Sequence, residues 1–149
     1  MIFTHEFLNN TSAAPILAEL HMACFKASWD SASFTKLLSL NGTIAQIILT
    51  DSIPIGFALY QTTDTEAEIL TLGILPPIRK KNAGATLILK GKQHLAYNGI
   101  ERIFLEVSQT NVAAQQLYKN AGFQEIGKRK NYYTEGDKKF DALLLEVIL

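Results

Sequence analysis

Hydrophobic and polar positions along the chain follow two different periods. Ile2 to Phe7 reads as a short first strand, after which Thr11 or Ser12 can cap a helix carrying Ile16, Leu17, Leu20 and Cys24 on one face. Ser31 can cap a second helix, with Phe34, Leu37 and Leu38 at helical spacing, ending near Asn41-Gly42. From Thr43 the spacing shortens. Ile44, Ile47, Ile48 and Leu49 lead to a polar break at Asp51-Ser52, followed by Ile55 to Tyr60, a second break at Thr62 to Thr65, and Glu68 to Leu75. These segments predict an antiparallel meander. Beyond Pro76-Pro77 a basic loop runs into Gly84 and a helix with Leu87, Ile88, Gly91 and Leu95 inward, closing at Asn98-Gly99. Gly91 is expected to let that helix lie close to the sheet. Ile103 to Val107 reads as a buried strand. Asn111 can cap a helix with Ala114, Leu117, Tyr118 and Ala121 inward, stopped by Gly122. Gln124 to Tyr132 and Phe140 to Val147 complete a hairpin around Thr134 to Lys139. The order is mixed α+β, with a strand–helix–strand crossover at its centre.

No repeat or linker divides the chain, so one domain over residues 1–149 is expected. At 149 residues and 48% hydrophobic, the chain can bury a core without disulfides or metal. Fourteen basic against fourteen acidic side chains give zero formal charge, which argues against a broad nucleic-acid surface and confines any grip on a polyanion to one locality. Cys24 is the single cysteine, expected in the core, and His5, His21 and His94 are scattered, so no metal site is expected. No apolar stretch is long enough to span a bilayer and no secretory pattern opens the chain; a cytoplasmic location is expected, with no nucleic acid and no membrane among the partners.

Two segments carry candidate chemistry. Leu72 to Ala85 is a strand feeding a basic turn, Arg79-Lys80-Lys81, that opens a helix. The first N–H groups of a helix lack intrahelical partners and sit at the positive end of the macrodipole, so a phosphate is favoured there; a solvated basic turn has the same composition. The turn is neither a triphosphatase loop nor a dinucleotide fingerprint. In the second segment Glu106 interrupts an apolar strand, which is costly unless the carboxylate is paired, faces a cleft or points to solvent. Tyr118 follows on the inner face of a helix, as a core residue or as a donor.

Taken in this order, the basic turn, Glu106 and the run Asn111-Val-Ala-Ala-Gln-Gln-Leu-Tyr118-Lys-Asn-Ala-Gly-Phe123 resemble the GNAT acetyltransferase superfamily from about Phe25 to the C-terminus. Lys128-Arg129-Lys130-Asn131-Tyr132-Tyr133, the late Asp141-Ala142, and Ala23-Cys24-Phe25 with Trp29 and Phe34 are similar to the ribosomal-protein-alanine N-acetyltransferase (RimI-type) family. The resemblance implies a mixed, mostly antiparallel sheet of six to seven strands flanked by about four helices, with two central parallel strands splayed around acetyl-CoA as cosubstrate. It implies that Leu72, Gly73 and Ile74 pair with the pantetheine arm, and that Arg79, Lys80, Lys81, Asn82, Ala83, Gly84 and Ala85 cradle the pyrophosphate, with Asn111 and Tyr118 also touching the cofactor. Asn82 stands where the family usually has glycine; asparagine tolerates left-handed backbone better than most residues.

By the same resemblance Glu106 matches the general base and Tyr118 the general acid, and Trp29, Arg129, Tyr132 and Tyr133 belong to the acceptor groove. Strand alternation allows at most one of Tyr132 and Tyr133 to face that groove. The implied activity is acetylation of a protein N-terminal amine, with a small-subunit ribosomal protein as favoured acceptor, by a monomer or weak dimer. Acetylation of a small amine or a lysine side chain, and a weakly catalytic CoA-binding module, are the alternatives.

Overall fold

The computed structural model describes residues 1–149. Its strands are β1 (Thr4–Leu8), β2 (Thr43–Thr50), β3 (Ile53–Thr62), β4 (Glu66–Ile74), β5 (Arg102–Ser108), β6 (Gln124–Glu135) and β7 (Lys138–Ile148). Its helices are α1 (Ala14–Cys24), α2 (Ser31–Leu38), α3 (Ala83–Tyr97) and α4 (Val112–Asn120). Two caps differ from expectation. Asn10, not Thr11 or Ser12, accepts the Ser12 N–H at 3.0 Å and starts a 3-10 turn leading into α1. Asp30, not Ser31, accepts the Ser33 N–H at 2.8 Å at the start of α2. In each case the chain offers adjacent capping residues, and the side chain standing on extended backbone takes the role. Asn111 caps α4 as expected, through Ala114 N–H at 3.1 Å.

All strands join one sheet in the order β1-β2-β3-β4-β5-β7-β6, antiparallel except for β4 with β5. That parallel pair is short: Glu66, Ala67 and Glu68 meet Arg102, Ile103 and Phe104, and beyond them the strands part. Arg102 clamps the closed end, its guanidinium reaching Glu66 on β4 at 2.8 Å and Glu146 on β7. At the opening Leu70 is an extra residue opposite β3, since Tyr60 pairs with Ile69 and Leu59 with Thr71; such a bulge bends its strand and increases its twist.

Strand alternation sends side chains into two cores. Ala67, Ile69, Ile103, Leu105 and Val107 pack beneath α3 and α4, with Leu87, Tyr118 and Phe123. On the other face Ala45, Ile47, Phe57 and Leu59 pack under α1 and α2, with Leu17, Leu20 and Phe34. The buried polar groups that tie α3 to the sheet are satisfied. Tyr60 Oη donates to Gln46 Oε1 at 2.7 Å, and Gln46 Nε2 donates to the Leu87 carbonyl at 2.9 Å. Gly91 allows this approach, because a Cβ there would overlap the Tyr60 hydroxyl and lie 2.9 Å from Gln46 Oε1.

His21 organises the loop between α1 and α2. It is buried, its ring lies 4.5 Å from Phe25 and 5.0 Å from Trp29, and its Nδ1 accepts the Trp29 N–H at 3.1 Å. Burial holds its pKa below the ordinary histidine value.

Gly91→Ala is expected to destabilise the protein by about 1–3 kcal/mol, read as a lower urea midpoint, because the methyl must displace a hydrogen-bonded tyrosine. His21 contributes stability that is fully present above an unfolded pKa of about 6.5 and is lost as pH falls through its lower folded value. The urea midpoint is therefore expected to drop less between about pH 7.5 and about pH 5.5 in His21→Gln than in the unaltered protein.

Candidate active site

The parting of β4 and β5 opens a cavity of about 280 Å³. Its walls are Ile69 to Leu72 of β4, Leu105 to Ser108 of β5, Asn111, Ala114, Leu117 and Tyr118 of the α4 segment, Phe25 from the α1–α2 loop, and Tyr133 from β6. The lining is mainly apolar with a few converging polar groups, the usual composition of a small-molecule site.

Glu106 and Tyr118 reach this cavity from opposite sides of the sheet. Leu105 and Val107 are buried beneath α3 and α4, so alternation turns Glu106 to the α1/α2 face, where its side chain retains 22% exposure. Tyr118 belongs to the α3/α4 core and packs edge-on against Phe123 at 5.4 Å between ring centroids. Its hydroxyl has no hydrogen-bond partner in the protein, and burial pushes its pKa well above the ordinary phenol value, so it remains protonated near neutrality. Glu106 is ion-paired: Arg129 Nη1 donates to its two oxygens at 3.0 and 3.2 Å.

The basic turn enters α3 through left-handed backbone at Lys80 (φ 63°) and Asn82 (φ 64°). Asn82 thus occupies the conformation for which glycine is the usual choice. No side chain caps α3, and no N–H of residues 80–85 donates to a protein acceptor; the helix ladder begins with Thr86 N–H to the Asn82 carbonyl at 3.0 Å. Gly84 faces α4, where a Cβ would press on Leu117 at 3.1 Å. Arg79 behaves differently from its neighbours. Its Nε–H donates to the Ile74 carbonyl at 2.9 Å, closing the end of β4, which leaves Lys80 and Lys81 as the cations beside the unpartnered amides.

Leu75 N–H donates to the Ile55 carbonyl, so alternation directs the peptide groups of Gly73 towards β3 and those of Leu72 and Ile74 into the gap. These gap-facing groups meet no strand. Gly73 packs against α1, with Cys24 Sγ 3.0 Å from where its Cβ would be. Cys24 is only half-buried, at that strand, not deep in the core.

On the last hairpin β6 bulges between Arg129, opposite Ala142, and Tyr133, opposite Phe140. The Asp141 carboxylate holds the bulge by accepting the Asn131 N–H at 3.0 Å, Asn131 being left-handed at φ 54°. Tyr133 lines the cavity, whereas Tyr132 lies outside it with the Arg129 guanidinium 4.5 Å from its ring centroid. Trp29 stacks behind the cavity on His21, and Phe25 is the aromatic of that loop that reaches the wall. Among wall residues, Leu70, Thr71 and Ser108 carry no signal in the sequence, because their position follows from the bulge and the splay, and Phe25 enters the sequence reading only through the Ala23-Cys24-Phe25 resemblance, not as a wall residue.

A profile of the Acetyltransferase (GNAT) family matches residues 14–123. The ribosomal protein bS18-alanine N-acetyltransferase of Haemophilus ducreyi is 37% identical over 96 residues, 64% of this chain and 66% of that protein, so the aligned part spans just under two thirds of the relative's length. A relative from Bacillus subtilis is 30% identical over 132 residues, 88% of this chain and 86% of its own length. The crystal structure of the ribosomal-protein-S18-alanine N-acetyltransferase from Escherichia coli shares the fold with a TM-score of 0.89 at 23% identity, over 99% of this chain and 94% of that one. The family profile takes in both the basic turn and the stretch from Glu106 through Tyr118 that forms one side of the cavity, and on that match the chain belongs to the Acetyltransferase (GNAT) family.

Proposed function

We propose that this protein is an acetyl-CoA-dependent N-acetyltransferase acting on the N-terminal amine of a protein, with a small-subunit ribosomal protein beginning with alanine as the favoured acceptor. The observation that carries the reading is the convergence of Glu106 and Tyr118 on one cavity from opposite faces of a split sheet. The name of the Haemophilus ducreyi relative supports the acceptor.

The residues present fit acetyl-CoA. Unpartnered amides at residues 80–85, the positive end of the α3 dipole and two exposed lysines suit its pyrophosphate, and the gap-facing N–H and carbonyl of Leu72 with the N–H of Ile74 suit an extended amide-bearing arm. Asn111 lies on the cavity wall with its side-chain oxygen committed to capping α4, which leaves its amide hydrogens for a ligand. When bound, acetyl-CoA supplies an acetyl group activated as a thioester. Glu106 accepts the proton that the acceptor amine must lose before it becomes a nucleophile. Tyr118 holds its proton at Oη until negative charge develops on the leaving group, where it donates. Tyr133 and Phe25 flank the acceptor side of the cavity, and the Asp141-held bulge fixes Tyr133 there.

Tyr118→Phe and Glu106→Gln are each expected to lower kcat on an alanine-terminated peptide by about 100-fold or more, measured as CoA release, while acetyl-CoA still raises the melting temperature. Unchanged turnover in both variants would exclude the assigned roles, and turnover confined to polyamines or lysine side chains would replace the acceptor class. Lys80→Ala/Lys81→Ala is expected to raise the KM for acetyl-CoA by about tenfold and to make it less salt-sensitive, with kcat little changed.

A further inference from the structure

Glu68 is a half-buried carboxylate that makes no hydrogen bond or ion pair, an arrangement that asks for an explanation. It stands opposite Phe104 at the last paired position before β4 and β5 part. Its neighbours Ala67 and Ile69 are buried beneath α3 and α4, so alternation places it on the same face as Glu106. Burial, and then the Glu106 charge, push its carboxyl above the usual range, with Arg129 opposing; the three groups therefore lie within reach of one another's fields.

The charges do not balance. Two carboxylates on one face of the sheet have one guanidinium between them, and the third neighbour, Tyr133, is held neutral by burial and by the Glu106 charge. The group is one cation short, and an uncompensated, partly desolvated anion favours any cation that can enter. The resident cation is also easily exchanged: the Arg129 side chain is 51% exposed against 22% for Glu106, and water competes for such a pair. An N-terminal amine, with an ordinary pKa of about 8, arrives mainly as ammonium at neutral pH.

We propose that Glu68, Glu106 and Arg129 form a seat for the acceptor's cationic amine, in which the ammonium takes the place of the Arg129 guanidinium on Glu106 and Arg129 turns towards Glu68. This rests on the acetyltransferase reading of the same cavity. Glu68 is then a binding residue for the acceptor, and Arg129 a placeholder whose shift from Glu106 to Glu68 leaves the cluster neutral once the acceptor is seated. The amine still loses its proton to Glu106 before transfer.

The test reads binding, not turnover. Two forms of an alanine-terminated hexapeptide are titrated into the full chain by calorimetry: one N,N-dimethylated, which is still protonated and cationic but, once deprotonated, has no further N–H to lose and so forms no stable amide, and one with the amine replaced by hydrogen. The unaltered protein is expected to prefer the charged form by about tenfold or more. Glu68→Gln is expected to cut that preference to about threefold or less while acetyl-CoA affinity, which reports an intact fold, is unchanged. Arg129→Gln is expected to tighten binding of the charged peptide, where a residue that merely gripped the acceptor would weaken it. A full preference in Glu68→Gln, or weaker binding of the charged peptide in Arg129→Gln, overturns the seat while the unmodified peptide is still acetylated. If neither peptide binds and none is acetylated, the acetyltransferase reading fails and the seat with it.

Discussion

Two parallel strands that pair for three residues and then part are the constraint on which the rest of the structure depends. A parallel pair normally continues as far as both strands run, because abandoning it strands peptide groups without partners. Here the separation is enforced from both ends. Arg102 ties Glu66 to Glu146 at the closed end, and the Leu70 bulge turns β4 aside at the open end. The peptide groups of Leu72 and Ile74 left over by this arrangement are largely unspent, since only the Ile74 carbonyl finds a partner, in Arg79. An incomplete sheet is thus held incomplete by complete interactions around it, and the cavity is the result.

The split also determines how chemistry is distributed. Because side chains alternate across each strand, a gap in the sheet is reached by different residues from its two faces: Tyr118 from the helix-covered core, Glu106 and Arg129 from the more open side. The first is shielded and keeps its proton; the others are charged and meet water. A donor and an acceptor of protons therefore need no special local sequence to be kept in different environments, since the two faces of one sheet provide them.

Much of this was legible in the sequence, and what was not has identifiable causes. Helix faces, the meander and the turns at Gly99 and Gly122 follow from periodicity and from backbone preferences, both local properties. Asn82 was readable as a left-handed residue for the same reason. Caps were less so, because Asn10-Thr11-Ser12 and Asp30-Ser31 each present several competent side chains, and the choice depends on which one stands on extended backbone. The last hairpin runs longer than its hydrophobic pattern, since β6 is exposed along most of its length and bulged, which erases the period of two. Glu68 as part of the proposed seat, and Phe25 as part of the cavity wall, were unreadable. Their meaning comes from Glu106 and from the α4 wall, which reach them only through the crossover.

The hydrogen bond from Gln46 to the Leu87 carbonyl, with Tyr60 behind it, fixes α3 at its fifth residue, little more than one turn from the end that carries the unpartnered amides. A helix held so near its terminus has little freedom to rock there. The entropy of orienting those amides is therefore surrendered when the chain folds and not when a ligand arrives, so an anion landing on the turn meets a receptor already in register. A glutamine in the middle of β2 thereby stiffens, from outside the cavity, the turn proposed to hold the cofactor.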